Sequence, residues 1–355
     1  MSKKLNSKCS SCGFSYVFNP ETQTLYCNQC GSTKSIQNSE TSVKKEYNPK
    51  SKVLKNSNAS MVYECENCGA KSNINEDKVS GVCPYCGSTN LHSLAEAVEF
   101  EPDAVVPFKI SKQMALAKYK QWIKTRKFVP NKLKSNAKIN KMEGVYFPCW
   151  DFDFNVNSTI KGVGINTHTN VTYSSGPNGT KIAHHNTYTT RHPFSGTQFD
   201  VFKDYLIAGN NQISQSELLE LGNYGIETLK VYSPEYLLGF LSSGFDIDVH
   251  KAFDVAKVNA KNEVEQTAKL KYNYDSYEYF NVSSLFNSIM WRYIYLPVWI
   301  CNFKYQNKKY RFLVNGYNGY VTGKVPRSGW KIFGAVLGVL AVVGVIGYFV
   351  YKFFI

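Results

Sequence analysis

The sequence predicts an α+β fold with two small four-cysteine modules at the N-terminus, a mixed antiparallel-sheet body that carries a helical insertion, and one apolar helix at the C-terminus. Three observations predict this arrangement. Cysteines recur with the same spacing in two places, runs of alternating polar and apolar residues fill the middle of the chain, and an uncharged apolar stretch closes it. The chain has 355 residues, of which 43% are hydrophobic, so it can form two or three domains with a true core.

The eight N-terminal cysteines form two copies of the pattern C-x2-C-x14-C-x2-C. Each C-x-x-C pair is followed by glycine, which permits the tight turn that aims two thiolates at one metal ion. Two such turns complete a closed tetrahedral site, so we expect two zinc ribbons, at residues 1–33 and 61–92, each with one structural Zn²⁺ ion. Rubredoxin-type iron or an iron–sulfur cluster are the alternatives. The predicted ligands are Cys9, Cys12, Cys27 and Cys30 in the first ribbon and Cys65, Cys68, Cys83 and Cys86 in the second.

Residues 34–60 separate the two ribbons. This stretch is rich in Ser, Asn and Lys and poor in apolar residues, which is typical of a flexible linker. We therefore expect the first ribbon to move independently of the rest. Aromatic residues such as Phe14, Tyr16, Phe18 and Tyr85 either form a binding face on the ribbons or cover their hairpins.

The segment 93–143 is basic. Between Lys109 and Lys141 it has eleven lysines and arginines and no acidic residue, and Ser111 is suited to cap a helix that runs to about Lys127, before a second short helix through Lys138. The net charge of +14 favours an acidic partner, although only five of the 41 basic residues are arginines, which are the better readers of bases. This segment contacts anionic lipid, the nucleic-acid backbone, or only its own body. The candidate contacts are Lys109, Lys112, Lys118, Lys120, Lys124, Arg126 and Lys127.

The body, at residues 144–328, contains an internal echo. Tyr-Phe-Pro-Cys-Trp at 146–150 recurs as Tyr-Leu-Pro-Val-Trp at 295–299, and each copy opens an alternating strand, so two related β units are expected. Strands at 158–173 and 181–192 flank a turn, and helices are predicted to begin near Ser214, Ser233 and Asp248. A last hairpin turns at residues 315–319.

Four histidines fall in the predicted hairpin, namely His168, His184, His185 and His192. His168 and His184 are placed to meet across the two strands. No acidic or cysteine residue has a spacing that would complete a metal site with them, so surface histidines are the simpler interpretation and a histidine-based enzyme is the alternative.

Residues 332–351 form twenty uncharged positions between Lys331 and Lys352. A helix of this length matches the hydrocarbon thickness of a bilayer, and its composition favours insertion as a transmembrane helix. Lys324, Arg327 and Lys331 precede the span, so the positive-inside rule predicts a cytoplasmic N-terminal body. The reducing cytosol favours metal binding over disulfides for the cysteines. Gly334 and Gly338 form a G-x-x-x-G that would allow the helix to pair in a homodimer.

The motifs together resemble a family of bacterial membrane-anchored zinc-ribbon proteins, largely uncharacterised, some members of which are labelled replication-restart helicases. The resemblance covers about residues 60–355, and it rests on the second ribbon, Val106–Ser111, Gly144–Trp150, Ser233–Phe240 and Tyr295–Trp299. Cys149 stands where the family pattern has phenylalanine. The chain itself contains no phosphate-binding loop, nucleophile elbow or dinucleotide fingerprint.

These observations predict a membrane-tethered cytoplasmic scaffold that has no catalytic activity and recruits a protein partner. The alternative is a membrane-associated nucleic-acid-binding protein that uses the ribbons and the lysine-rich segment.

Overall fold

The computed structural model describes residues 8–37, 42–51, 58–73, 83–86, 88, 91–99, 101–131, 133, 142–306 and 308–354. Within these ranges the chain has a mixed α+β fold with mostly antiparallel sheets, as the sequence predicts, and its strands form one three-stranded and one twelve-stranded sheet. The strands are β1 (Tyr16–Asn19), β2 (Thr24–Cys27), β3 (Thr33–Ser35), β4 (Lys45–Glu46), β5 (Asn58–Cys65), β6 (Lys71–Asn73), β7 (Leu91–Glu99), β8 (Ala104–Val105), β9 (Met142–Ser175), β10 (Lys181–Ala208), β11 (Lys230–Val231), β12 (Leu241–Ser242), β13 (Ser276–Tyr305), β14 (Lys308–Asn315) and β15 (Val321–Gly323). The α-helices are α1 (Lys112–Thr125), α2 (Gln215–Glu220), α3 (Val249–Tyr272) and α4 (Gly329–Phe354).

The large sheet is organised around β9, which has 34 residues. β10 pairs with one edge of β9 and β13 with the other, both in antiparallel register. The first part of β9, up to Val156, is largely buried: it is mainly apolar on both faces as far as Trp150, and on one face from there to Val156. Farther along, burial alternates and then ceases, so the strands extend out of the core.

Helix α3 covers the base of the long strands. Asp248 caps its N-terminus by accepting hydrogen bonds from the backbone N–H groups of His250 and Lys251. Its buried stripe consists mainly of alanines, which let the helix lie close to the sheet, and Phe253 contacts the rings of Phe152 and Phe154 at centroid distances of 5.4 and 5.8 Å. The predicted apolar face of this helix is therefore the face that packs against the sheet.

The two Tyr-x-Pro-x-Trp motifs pair with each other at the centre of the sheet. Pro148 lies opposite Tyr295, and Tyr146 lies opposite Pro297. The antiparallel pairing of β9 with β13 is therefore symmetric about the middle of the two motifs. The echo in the sequence therefore marks two equivalent strands.

The tryptophans of the two motifs make equivalent hydrogen bonds. The indole N–H of Trp150 donates to the Ile247 carbonyl, and that of Trp299 donates to the Ile110 carbonyl, each at 2.8 Å. Ile247 directly precedes the N-cap of α3, and Ile110 directly precedes Ser111, the N-cap of α1. Each motif thus anchors the start of a helix.

The body has two halves, one from β8 to β10 and one from β12 to β15, and these halves also exchange short strands. β8 runs parallel to β13, where the Val106 N–H donates to the Tyr295 carbonyl at 2.9 Å. β12 runs parallel to β9, where the Ser243 N–H donates to the Tyr146 carbonyl at 3.2 Å. Since each half contributes a strand to the other, the body is one interlocked unit.

The structure differs from the sequence-based expectation in the region of the predicted linker. Residues 42–51 lie on the body: β4 pairs with β13, and the Tyr47 N–H donates to the Ile289 carbonyl at 2.9 Å. The Tyr47 ring packs on Phe253, and its hydroxyl bonds His250. We call residues 42–51 the strap. Its docking depends on body residues distant in sequence, which local composition does not reveal.

The first four-cysteine module also packs against the body instead of standing apart. The Phe18 N–H donates to the Leu238 carbonyl at 2.8 Å, and the Phe18 ring meets the edge of Tyr236. On another side, the Gln23 side chain donates to the Phe108 carbonyl at 2.7 Å. These contacts hold the module beside the 3-10 helix Pro234–Leu237.

Helix α4 is long and apolar enough to cross a membrane, and its apolar window has no buried residue. Its first turn is tied to the loop after α1. The Ser328 N–H donates to the Phe128 carbonyl at 2.7 Å, and the Lys331 ammonium donates to the Val129 carbonyl and the Asn131 side chain. The body therefore holds the root of this helix through the end of the basic segment.

Candidate metal centres and neighbouring surfaces

The first four-cysteine cluster lies at the turns around the β1–β2 hairpin. Antiparallel pairing of β1 with β2 places Cys27 opposite Tyr16, beside the turn that carries Cys9 and Cys12. The Cys9 and Cys30 sulfur atoms are 3.6 Å apart, and those of Cys12 and Cys27 are 3.4 Å apart. All four sulfur atoms lie within 4.8 Å of one another.

The second cluster repeats this arrangement at the end of β5. The Cys65 and Cys86 sulfur atoms are 3.6 Å apart, those of Cys68 and Cys83 are 3.7 Å apart, and all four lie within 4.8 Å of one another. The structure thus brings together both sets of four cysteines that the spacing singled out.

All four cysteine turns share one backbone hydrogen bond. In each turn the N–H of the first cysteine donates to the carbonyl five residues later; the pairs are Cys9–Phe14, Cys27–Ser32, Cys65–Ala70 and Cys83–Ser88, at 2.6–3.0 Å. The glycine after the second cysteine has a left-handed backbone in the three turns where it is described, with φ of +67° to +76°. A side chain is disfavoured at this φ, so the glycines make the turns possible. Gly87, in the fourth turn, lies outside the described residues.

The sulfur spacing fits a metal ion in each cluster. Ligands at the usual zinc–sulfur distance of about 2.3 Å in a tetrahedron lie about 3.8 Å apart. The paired distances of 3.4–3.7 Å are close to this value and far from the roughly 2.05 Å of a disulfide, and all these cysteines are free thiols. Four thiols suit several soft metal ions, so the geometry supports metal binding without selecting the metal.

The thiols of each cluster differ in acidity. The Ser32 hydroxyl, which lies 3.0 Å from the Cys9 sulfur, lowers the pKa of Cys9 to about 5. Burial raises the pKa of Cys83 to about 11. Burial also acts on Cys86, but the Ser88 backbone N–H and the Asn67 amide outweigh it and lower the pKa of Cys86 to about 7. Because a metal binds thiolates, filling such a cluster releases protons.

The second cluster is built into the core of the body. The Tyr85 hydroxyl donates to Ser243 at 2.7 Å, and the Asn302 amide donates to the Pro84 carbonyl at 2.6 Å. Tyr85 is buried here, as Tyr16 and Phe18 are at the first cluster, whereas Phe14 is exposed. The buried aromatics Tyr16, Phe18 and Tyr85 therefore cover the modules and are not available as a recognition face.

A third group of potential ligands, which the sequence analysis missed, is satisfied by the protein itself. The carboxylates of Asp151, Asp153 and Asp204 converge on the strap, where the Lys44 ammonium lies 2.6–2.9 Å from all three. Arg292 adds a 2.6 Å contact to Asp151, which is fully buried. Lys44 thus takes the place that a metal cation would occupy, and the cluster fastens the strap. The presence of Asp151 and Asp153 in an otherwise apolar strand was the sequence signal that could have indicated this cluster.

The predicted anionic-surface residues are all exposed. The Lys109 ammonium lies over the Tyr317 ring at 4.2 Å, the Lys118 stem lies against Gly319, and the Arg126 guanidinium lies over the Trp122 ring at 4.5 Å. Lys112, Lys120 and Lys124 follow the outer face of α1, and Lys127 follows its end. Ser111 caps this helix as predicted, and the second short helix through Lys138 falls mostly outside the described residues.

The predicted histidines lie on a projecting hairpin. We call residues 166–190 the arm, because β13 ends its pairing with β9 at Ile165 and, in the part of the chain that the structure describes, only two strands continue beyond it. Positions 167–175 and 181–189 are exposed wherever a side chain is described.

His168 and His184 do not meet within this hairpin. His168 lies opposite Tyr188, and both His168 and His192 contact the Thr190 hydroxyl, at 3.0 and 2.9 Å. His184 lies opposite Thr172 and bonds Ser174, while His185 lies on the other face. His168, His184 and His192 therefore bond hydroxyl groups, and the four histidines form no group of three metal ligands among the described residues.

By structure, this is a mixed α+β protein with two four-cysteine clusters and one apolar C-terminal helix. No protein-family profile matches the chain, and no solved structure matches it. The chain is 24% identical over 337 residues to "Uncharacterized protein YdjG" of Bacillus subtilis (strain 168), and the match covers 92% of each chain. The similarity therefore extends over nearly the whole length of both proteins. The family assignment made from the motifs stays a prediction.

Proposed function

We propose that this protein is a non-catalytic scaffold, tethered to the membrane by α4 with its body in the cytoplasm, that recruits a protein partner through the arm. In this proposal each four-cysteine module is a zinc ribbon with one structural Zn²⁺. The observation that carries the proposal is the arm itself, together with its fixed connection to a body that is held at the root of an apolar helix.

The arm has the geometry of a strand-binding platform. Its two strands reach about 30 Å beyond Ile165 at about 3.3 Å per residue. Isolated two-stranded hairpins are marginally stable in water, and open strand edges readily pair with another chain. Val171 and Tyr173 on one face and Ile182 and Tyr188 on the other are exposed. These features suit a partner that adds an extended peptide to an arm edge and inserts side chains between these residues.

The closed character of the cysteine clusters supports a structural role for the metal. Four thiolates fill a tetrahedral zinc ion and leave no position for a substrate. Small hairpins with such ligands depend on the metal for their fold. Zinc would therefore fix the modules against the body and, through it, the base of the arm.

The charge distribution around α4 supports the cytoplasmic orientation. Lys324, Arg327 and Lys331 precede the apolar stretch, whereas Lys352 alone follows it within the described helix. The helix surface also carries Gly334 and Gly338, where an added Cβ would meet no neighbouring atom. These glycines leave room for a second copy of the helix, so a homodimer through this face is part of the proposal.

Site-specific photo-crosslinking in membranes tests the proposal. A photoreactive phenylalanine analogue replaces Tyr173 on the arm in one variant and Leu270 on α3 in the control; the two positions are 68% and 78% exposed. We expect a discrete protein adduct from position 173 and none from position 270. Equal adducts from both positions, or none from the arm, would refute recruitment by the arm.

A deletion variant provides the complementary measurement. Thr169 lies opposite Thr187, so replacing residues 170–186 with Asn-Gly shortens the hairpin in register. Position 190 is outside the deletion, so a photoreactive probe can be placed there in both the full-length and the shortened protein. We expect the shortened protein to stay folded and membrane-bound but to lose the adduct that this probe forms in the full-length protein.

Nucleic-acid binding is the second candidate function, and the row of exposed lysines on α1 favours it. Because phosphate contacts release counterions, such binding would weaken steeply with salt. Co-purification that is lost on nuclease treatment would support this candidate, whereas an adduct pattern that is indifferent to nuclease and salt would support the protein partner.

A further inference from the structure

An open cavity of about 1210 Å³ lies at the root of α4. One wall is the C-terminal end of α1 with the loop that follows, from Trp122 to Phe128. The opposite wall is the β14–β15 hairpin with the segment that leads into α4, up to Arg327. The cavity thus forms where the basic segment meets the segment that leads into the apolar helix.

The cavity is strongly cationic. Arg126, Lys127, Lys324 and Arg327 line it, and Glu220 is the one acidic residue among the described residues of its lining. The Glu220 carboxylate accepts a hydrogen bond from the Thr322 hydroxyl, and none of the four cationic side chains forms an ion pair with a described carboxylate. Four positive charges against one negative charge give the described lining a net charge of +3, which favours an anionic ligand.

The lining also contains a hydrogen-bond donor without a partner and several aromatic rings. The indole N–H of Trp122 is buried and unbonded among the described residues, beneath the Arg126 guanidinium. Tyr310 and Tyr320 line the opposite wall. Trp330, 84% exposed, lies just beyond the cavity in the first turn of α4. Aromatic rings in this position are typical of the headgroup layer of a membrane.

The position of the cavity favours lipid phosphate as the anionic ligand. Arg327 lies two residues before the start of α4, and the contacts of Ser328 and Lys331 with the loop 128–131 hold both walls to the root of that helix. The headgroup layer of a bilayer is only about 5–7 Å thick on each side of the hydrocarbon core. With α4 in the membrane, the cavity opens within this layer, next to lipid phosphates.

We propose that this cavity binds the phosphate headgroup of an anionic phospholipid. Arg126 and Arg327 hold the phosphate with paired N–H donors, Lys127 and Lys324 supply further positive charge, and the acyl chains lie beside α4. The volume exceeds the 300–1,000 Å³ of most small-molecule sites, so there is room for the glycerol and a second polar group as well. This inference rests on the membrane tether of the proposed function, and it narrows the predicted basic surface to the end of α1.

A lipid-selectivity measurement on the full chain tests the inference. The protein is exchanged into mixed micelles of equimolar phosphatidylglycerol and phosphatidylcholine, and retained lipids are counted by native mass spectrometry. The cavity variant is Arg126→Gln/Arg327→Gln. The control is Lys112→Gln/Lys120→Gln, which removes the same charge from exposed positions of α1 outside the cavity. Thermal unfolding of both variants checks that they stay folded.

We expect the wild type and the control to retain phosphatidylglycerol preferentially and the cavity variant to lose that preference by roughly 25-fold, since each basic contact with an anionic lipid contributes about a factor of five. Equal losses in the two variants would overturn the cavity as the site. Displacement of the lipid by inorganic phosphate or by a short oligonucleotide, at concentrations comparable to the lipid, would overturn phospholipid as the ligand.

Alkaline carbonate extraction separates this inference from the tether on which it rests. A chain that carbonate washes from membranes would refute both the tether and the lipid site. A chain that resists extraction but retains both lipids alike would refute the lipid site and leave the tether standing.

Discussion

Replacing Lys44 with methionine should destabilise the protein far more than the same replacement of an exposed lysine that also pairs with a carboxylate. Lys44 is 9% exposed, and its ammonium contacts Asp151 at 2.9 Å, Asp153 at 2.6 Å and Asp204 at 2.8 Å. Asp151 is fully buried, so its charge has no access to water when the lysine is removed. Methionine keeps the apolar stem and removes only the ammonium.

The magnitude follows from what remains at the site. Removing one partner of a buried ion pair costs about 3–5 kcal/mol, because the other charge is left without compensation. Arg292 still contacts the second oxygen of Asp151 at 2.6 Å, and Asp153 and Asp204 reach solvent and lose little. We therefore expect Lys44→Met to cost about 2–3 kcal/mol. The strap should also become more susceptible to proteolysis, because Lys44 fastens it.

Lys34→Met is the matched control. Lys34 is 49% exposed and pairs with Glu235 at 3.0 Å, so its loss should cost about 1 kcal/mol or less. Equilibrium unfolding of the full chain in detergent with urea, followed by tryptophan fluorescence, measures both variants. A Lys44 variant no less stable than the Lys34 variant would refute the buried ion-pair argument. The double variant Lys44→Met/Asp151→Asn should lose less stability than the sum of its single changes.

Three further predictions follow from other parts of the structure. Trp150→Phe and Trp299→Phe each remove an indole donor from a backbone carbonyl, so each should cost about 1–3 kcal/mol in thermal unfolding, and clearly unequal costs would contradict the equivalence of the two halves. Burial acts to raise the pKa of the Glu217 carboxyl, but the Ser214 backbone N–H and the Arg311 guanidinium outweigh it and hold that pKa below its usual value. The stabilising contribution of Glu217 is therefore complete above about pH 4.3 and is lost as the pH falls through its lowered folded-state pKa; Glu217→Gln should reduce this acid-induced loss, and an unchanged pH profile of stability would count against it. Metal removal with a strong chelator should abolish amide hydrogen-exchange protection in β1 and β2 while β9 stays protected, and protection that survives chelation in both would contradict a metal-dependent module.

The sequence predicted best those features that depend on neighbouring residues. Ser111, Ser214 and Asp248 cap helices as expected, because capping involves only the next two or three backbone N–H groups. The cysteine spacing likewise identified both clusters, since each C-x-x-C turn is a local structure. The hairpin around the turn Pro177–Gly179 was also recognisable from its turn residues and the alternation on either side.

Features that depend on distant residues were not predictable in this way. The strap has the composition of a linker, and it docks only because Asp151, Asp153 and Asp204, more than 100 residues away, converge on Lys44. The cationic cavity has the same character, since Arg126 and Arg327 line one cavity only because the root of α4 is held to the loop after α1. Sequence showed the charges of both sites but not their juxtaposition.

The interlocked halves explain why one body can present two different surfaces. The Phe-Lys-Ile-Ser run at 108–111 and the Phe-Asp-Ile-Asp run at 245–248 occupy equivalent positions, each before a helix and each bonded by a tryptophan of the other half. From this common start the copies differ. Helix α1 carries no acidic residue and ends at the cationic cavity, whereas α3 is ten residues longer and supports the strands from which the arm projects.

The hairpins of the two halves differ in the same sense. β9 and β10 continue past the core into the arm, whereas β14 turns back after eight residues and leads through β15 toward α4. The two related β units thus differ in that one extends its hairpin into the arm and the other leads toward the apolar helix. Because each half supplies a strand to the other through β8 and β12, neither surface can shift without disturbing the shared sheet. Such a body would hold the arm in a fixed orientation relative to the root of α4, which is the geometric requirement of the proposed scaffold.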